Sequence, residues 1–283
     1  MSDPFKTPCQ PNWCPGCGDF GIWAGIKNAI RSLGWTPADF VAVYGVGCHG
    51  HMVNFLKSYA FETLHGRPIP VAEGLHLANH KLPVLVIAGD GDTLGEGTNH
   101  LVHAARRNID LTIIMHDNQV YGLTTGQTAP TAQKGFKTKS TPAGSIEEPI
   151  NPLSIAIAAG ATFVARGFAG DIPSITNLIV EGIKHPGLSF VDIFQPCVTF
   201  NHVNTYQWYR DHIYNLPEDY KADDRAEAYK KALEWTEKIP VGVFYRELKP
   251  TYEEQTPQIA ETSLVDSAPV SKEVLTKLIG EFV

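Results

Sequence analysis

The chain has 283 residues, 43% of them hydrophobic and 19% charged, with a formal net charge of −7. That composition excludes a disordered or fibrous chain and leaves room for one large core, while the acidic balance speaks against nucleic acid as a partner. No apolar run is long enough to span a bilayer and the opening residues lack a secretory pattern, so a soluble, cytoplasmic protein with no membrane contact is expected. Five cysteines, an odd number, then suit metal ligation or free thiols better than a disulfide framework.

Residues 1–12 are rich in Pro and polar side chains and read as a wrapped or extended arm. The apolar spacing of residues 20–33 predicts a helix stopped at Gly34, and "FVAVYGVG" at 40–47 predicts a strand closed by glycine. Helical stretches are expected at 51–64 and 71–80, a strand at 84–88, a helix around 97–107 and a strand at 111–118. A long polar loop over 127–149 precedes a helix near 152–159, a strand at 162–165, a helix at 172–185 and a last strand at 189–194. Continuous apolar strands alternating with helices predict an α/β fold, a mostly parallel sheet with helices on both faces. Past about residue 201 the sequence becomes polar and Tyr/Trp-containing. A charged helix at 222–238 and a Pro/Glu-rich tail with a short helix near 272–282 complete what reads as a C-terminal extension.

The stretch "VLVIAGDGDTLG" at 84–95 ends an apolar run in a glycine turn ahead of a helix, the usual cradle for phosphate. Two aspartates there would repel phosphate unless a divalent cation stood between them, and Mg²⁺ takes hard oxygen ligands together with phosphate oxygens. A further ligand should come from a neighbouring strand end, where Asp117 and Asn118 stand.

The cysteines point to the same edge. Cys14 and Cys17 form a C-x-x-C in "WCPGCG", whereas Cys48 and Cys197 each follow a predicted strand. In a parallel sheet the C-terminal strand ends share one edge, so Asp90, Asn118, Cys48 and Cys197 should converge there, with the arm bringing Cys14 and Cys17 over them. Four thiolates suit a [4Fe–4S] cluster or a structural zinc, and Cys9 is left over as a free thiol.

Gly89-Asp90-Gly91 with a later Asn118 resembles the thiamine diphosphate signature. The ordered set "WCPGCGDFG", "GVGCHG", "LHGRPIPVAEGLHLAN", "GDGD", "NHLVHAARRNIDLTI", "NQVYGLTTGQ" and "QPC" closely resembles the β subunit of the 2-oxoacid:ferredoxin oxidoreductases. By that resemblance Mg²⁺ is held by Asp90, Asn118 and the Val120 carbonyl. Thiamine diphosphate meets Gly89, Asp90, Gly91, Asp92, Asn118, Val120, Tyr121, Gly122, Leu123 and Thr124, although Asp92 has no evident task beyond starting a helix. Cys14, Cys17, Cys48 and Cys197 hold the [4Fe–4S] cluster. Residues 1–18 are then the cluster-bearing arm, 19–200 the thiamine diphosphate and magnesium domain, and 201–283 the extension.

The resemblance also implies CoA-dependent oxidative decarboxylation of a 2-oxoacid, or its reversal as CO₂ fixation, with electrons passed to ferredoxin. A partner α subunit must carry the pyrimidine-binding domain, giving a heterodimer or a dimer of heterodimers. His49, His65, Arg67 and Leu123 are the candidates for the substrate pocket. A histidine able to meet a distal carboxylate favours 2-oxoglutarate. Pyruvate, a branched-chain oxoacid, or a non-catalytic metal-binding regulatory subunit are the alternatives.

Overall fold

The computed structural model describes residues 3–235 and 237–282. Parts of the expected arm, charged helix and tail that fall on Met1, Ser2, Thr236 and Val283 lie outside the described residues. The elements in chain order are α1 (Asp19–Ser32), β1 (Val41–Tyr44), β2 (Tyr59–Glu62), α2 (Pro68–Ala78), β3 (Val84–Gly89), α3 (Thr98–Arg107), β4 (Thr112–Asp117), β5 (Val120–Tyr121) and β6 (Gln127–Thr128). There follow α4 (Pro152–Ala159), β7 (Phe163–Phe168), α5 (Ile172–Lys184), β8 (Ser189–Phe194), α6 (Tyr206–His212), β9 (Ile213–Asn215), α7 (Arg225–Ala232), β10 (Ile239–Arg246) and α8 (Lys272–Gly280).

Eight strands form one sheet in the order β2-β1-β3-β4-β8-β7-β10-β9. Neighbours run parallel, apart from the antiparallel pair β7 and β10. Along β3, Val84, Val86 and Ala88 face one layer while Leu85 and Ile87 face the other, the period-two alternation of a strand covered on both sides. Helices α2, α3, α4 and α7 cover the first face, and α1 and α5 the second. The expected α/β architecture is therefore present.

Several elements differ from the sequence reading. Residues 51–64, expected as helix, form a short 3₁₀ turn over His49–Asn54 and then strand β2. The alternating β-formers Tyr59 and Phe61 pair in parallel with β1 at the sheet edge, which overrides the helical spacing. Helix α2 begins at Pro68, before the expected 71, because proline is well suited to a first helical turn. β7 runs on through Arg166, which looks like a strand end in sequence. Its Nε donates to Asp192 Oδ2 of β8 at 2.8 Å, with both side chains fully buried and the guanidinium 5.0 Å from the Phe194 ring.

Beyond residue 200 the chain supplies α6, β9 and β10, none of them expected, and β10 continues the main sheet. Pro240 and Gly242 disguise that strand. Gly242 has φ +131°, and the register with β7 shifts between Val243 and Tyr245.

Candidate functional site: two adjoining cavities at the strand ends

The chain leaves β1 toward β2 on one side and returns to β3 on the other. The strand order thus reverses between β1 and β3, and diverging connections leave a crevice at their C-terminal ends. A cavity of about 240 Å³ opens there. Its lining includes Gly89, Asp90, Gly91 and Asp92 from the end of β3, and Asn118, Val120, Tyr121, Gly122, Leu123 and Thr124 from beyond β4. His49 and His65 complete the wall.

The turn after β3 is built for close approach. A Cβ on Gly91 would lie 2.3 Å from the Tyr121 ring, so the ring covers bare backbone. One π-helical turn, Asp92–Glu96, then leads into α3, a local irregularity of the kind that clusters at functional sites. The buried Asp90 carboxylate accepts from the Gln119 N–H at 2.9 Å and from the Thr131 hydroxyl. Burial pushes its pKa up to about 6, against the pull of those donors, the Gly91 N–H and His49. Gln119 has φ +62°, a left-handed kink that turns Asn118 and Val120 around the carboxylate. Asn118 Oδ1 accepts from the Val120 N–H at 3.0 Å, and its Nδ2 donates to Gln195 Oε1 at 2.7 Å.

Asp92 is a hub, which the sequence reading missed. Its Oδ1 accepts from the Gly66 N–H and stands 3.3 Å from His65 Nδ1; its Oδ2 stands 3.4 Å from His49 Nε2. A Cβ on Gly45 would fall 1.4 Å from that Oδ2, so glycine is obligatory there. The His49 ring is wedged between two further glycines, with Cβ positions on Gly47 and Gly89 falling 2.6 and 2.7 Å from its Cε1. His65 is held by the Val46 carbonyl at 2.9 Å and by Glu96 at 2.8 Å. Arg67, expected at the substrate, does not line the cavity. It is exposed, and its guanidinium donates to the carbonyls of Gly66 and Glu96.

A second cavity, about 220 Å³, is lined by Cys14, Cys17, Cys48 and Cys197 and shares Cys48, Asn118, Gly122 and Leu123 with the first. Gly122 passes close between two of the thiols, with a Cβ there 3.4 Å from Cys48 Sγ and 3.7 Å from Cys197 Sγ. The arm is fixed over them: Trp13 Nε1 donates to the Cys48 carbonyl at 2.7 Å, and the Gly18 N–H donates to the Pro196 carbonyl at 3.1 Å. Burial pushes the Cys17 and Cys197 thiols up and that of Cys48 up to about 12, with Asp19 adding to each. Asp19 was not singled out in the sequence. Its Oδ2 is 3.3 Å from Cys17 Sγ and its Oδ1 is 2.7 Å from His116 Nδ1. Cys9 is exposed and does not line this cavity.

The donor chemistry fits the groups the sequence suggests. Oxygen donors crowd the first cavity, sulfur donors ring the second, and such buried thiols give up their protons to a metal's charge. Among the described residues no three His, Cys, Asp or Glu side chains stand close enough to share one ion.

Residues 45–193 match the family described as thiamine pyrophosphate enzyme, C-terminal TPP binding domain, and residues 197–261 match the family described as the C terminal of the pyruvate ferredoxin oxidoreductase beta subunit. The chain is 41% identical to 2-oxoacid:ferredoxin oxidoreductase 1, subunit beta, of Aeropyrum pernix, over 98% of this chain and 92% of the relative. It is 36% identical to the 2-oxoglutarate synthase subunit KorB of Archaeoglobus fulgidus, covering 87% and 89%. Among solved structures, the 2-oxoglutarate:ferredoxin oxidoreductase of Magnetococcus marinus, with 2-oxoglutarate, coenzyme A and succinyl-CoA bound, superposes with a TM-score of 0.92. The identity is 38%, over 98% of this chain and 96% of that one.

Proposed function

The chain belongs to the beta subunits of the 2-oxoacid:ferredoxin oxidoreductases, an enzyme family, and from that premise we propose that it carries the thiamine diphosphate, Mg²⁺ and [4Fe–4S] sites of a 2-oxoglutarate:ferredoxin oxidoreductase. The reaction joins decarboxylation of 2-oxoglutarate to formation of succinyl-CoA and delivery of electrons to ferredoxin; reversed, it fixes CO₂. The observation that carries this reading is the wall shared by the two cavities, in which Cys48, Asn118, Gly122 and Leu123 face both. Groups held on either side of so thin a partition would be close enough to exchange electrons without a further carrier.

Bound thiamine diphosphate supplies the carbanion and electron sink that a 2-oxoacid needs to lose CO₂. This chain's residues position it. The Asp90 carboxylate, the Asn118 amide oxygen and the Val120 carbonyl hold Mg²⁺ against the diphosphate, offsetting the repulsion between carboxylate and phosphate. Gly91 and the π-turn would offer backbone N–H groups to the diphosphate, beside the Tyr121 ring that packs on Gly91. On the other side Cys14, Cys17, Cys48 and Cys197 would hold the cluster, in a pocket that Trp13 and Leu123 also line.

The choice of 2-oxoglutarate is supported by the relatives named for it and by the structural neighbour that contains it. Within this chain His49 borders the cavity, yet its ring is wedged between Gly47 and Gly89 and its Nε2 is turned to Asp92. We therefore assign it to positioning the diphosphate turn, and leave recognition of the distal carboxylate to the α subunit. His49→Ala should lower the rates on 2-oxoglutarate and pyruvate together. A selective loss on 2-oxoglutarate would instead put His49 on the substrate. For the assignment as a whole, iron, acid-labile sulfide, magnesium and thiamine are measured in the purified αβ complex. Four irons and one thiamine per chain are expected; zinc without iron would overturn the ferredoxin-linked reading.

A further inference from the structure

Between the two cofactor sites lies one fully enclosed amide that the proposed chemistry has not used. Gln195 follows β8 immediately and is buried, its own N–H donating to the Asp117 carbonyl at 2.8 Å. Its side chain touches both sites at once. Oε1 accepts from Asn118 Nδ2 at 2.7 Å, and Nε2 stands 3.2 Å from Cys17 Sγ.

The direction of this chain of contacts follows from one fixed donor. The Val120 backbone N–H can only donate, so the atom of Asn118 that it meets at 3.0 Å is the amide oxygen. Asn118 must then turn its NH₂ to Gln195, and only the Gln195 oxygen can receive it. That leaves the Gln195 NH₂ facing sulfur. Reversing either amide would set two donors or two acceptors against each other in a buried space. The fit around Gln195 is equally tight. A Cβ on Gly18 would lie 2.8 Å from Gln195 Cγ and 3.0 Å from its Cα, so the arm bearing Cys17 reaches this contact only because residue 18 is glycine.

We propose that Gln195 is a positioning residue for both cofactors, its carbonyl oxygen fixing the Asn118 amide oxygen toward Mg²⁺ and its N–H stabilising the reduced cluster through Cys17. The inference rests on the cluster and Mg²⁺ assignments above. A carbonyl oxygen has two lone pairs, so Asn118 Oδ1 can serve the Val120 N–H and a cation together, provided its NH₂ is anchored elsewhere. A hydrogen bond to a ligand sulfur stabilises the extra electron density of the reduced state and so raises the reduction potential. The same side chain therefore sets how well the diphosphate is held and how readily the neighbouring cluster takes an electron.

The test uses the αβ complex with Gln195→Leu and Gln195→Glu, reading the cluster midpoint potential by redox titration with electron paramagnetic resonance and the affinity for Mg²⁺-thiamine diphosphate by calorimetry. In the leucine variant both bonds are lost. Its potential should fall by the equivalent of about a tenfold smaller reduced fraction, about 59 mV for one electron, and its affinity should fall about tenfold. In the glutamate variant the carboxylate still accepts from Asn118 but offers sulfur no donor, so the potential falls while the affinity stays. Leucine is neutral, so a drop there cannot come from added charge. A leucine variant with full iron content and wild-type potential, or with wild-type affinity, overturns the proposal. Wild-type complex lacking iron overturns the cluster assignment itself, a separate result; if the leucine variant fails to load iron, the neutral, similarly sized Gln195→Met takes its place in both readings.

Discussion

At the scale of single residues, the two aspartates of the glycine turn have separate tasks. Asp90 lines the cavity as the proposed Mg²⁺ ligand, whereas Asp92 fastens three loops together through Gly66, His65 and His49. Asp92→Asn keeps the shape and removes the charge that both imidazoles face. It should weaken Mg²⁺-thiamine diphosphate binding about tenfold, read by calorimetry, while circular dichroism stays unchanged. That Asp90 and Asn118 line one cavity was legible because both stand at the ends of neighbouring parallel strands. Asp92, Asp19 and Gln195 were not, because their roles depend on contacts between segments far apart in sequence. A pH dependence also belongs here. His185, at the end of α5, is packed against Phe163 and bonded to Thr162 Oγ1 at 2.9 Å; burial, and secondarily Arg246, bring its pKa down to about 4. The unfolded imidazole titrates near 6.5, so the unfolded state binds the proton first. Its contribution is complete above about pH 6.5 and is lost as pH falls from there toward 4. Urea melts at pH 7 and pH 5 should show a drop in midpoint that shrinks in His185→Gln.

At the scale of elements, the anchorage of the first 18 residues was not legible in the sequence. Phe5 is fully buried and packs 6.3 Å from the Phe40 ring, while Trp13 meets Phe20 and Phe55 edge to face. The arm is thus part of the core. Phe5→Ala should cost about 3 kcal/mol in denaturant titrations and lower iron retention with it. The strands over 84–88, 111–118 and 189–194 were legible from their apolar runs. Strands β2, β9 and β10 were not, since an exposed edge and a strand holding Pro240 and Gly242 lack that run. The Arg166–Asp192 pair hid the second half of β7 for the same reason: a charge inside a strand reads as its end until its partner is known.

At the scale of the whole molecule, both cavities open at one edge of one sheet, and no helix among the described residues is long and apolar enough to cross a membrane. Among the described residues no glutamate lines the first cavity, so the glutamate proposed to activate the pyrimidine of thiamine falls to the α subunit. The chain purified alone should therefore show no 2-oxoacid-dependent reduction of ferredoxin, with activity restored by adding the α subunit; turnover by the lone chain would count against the divided site. The overall architecture was readable because alternation of buried strands and helices fixes a sheet class. The crevice was readable once the strand ends were known to share an edge. There is a consequence for how the protein matures. Cys14 and Cys17 leave the ribosome first, but Cys197 arrives only after almost the whole sheet has been made. Phe5, Trp13 and the Gly18–Pro196 bond tie the arm to the rest of the fold through contacts that use no thiol, and the four thiols come together only where the first and last parts of the sheet-forming chain meet. For the proposed cluster, delivery therefore follows completion of the sheet rather than synthesis of the first two cysteines, since the last of its four thiols, Cys197, comes late in the chain.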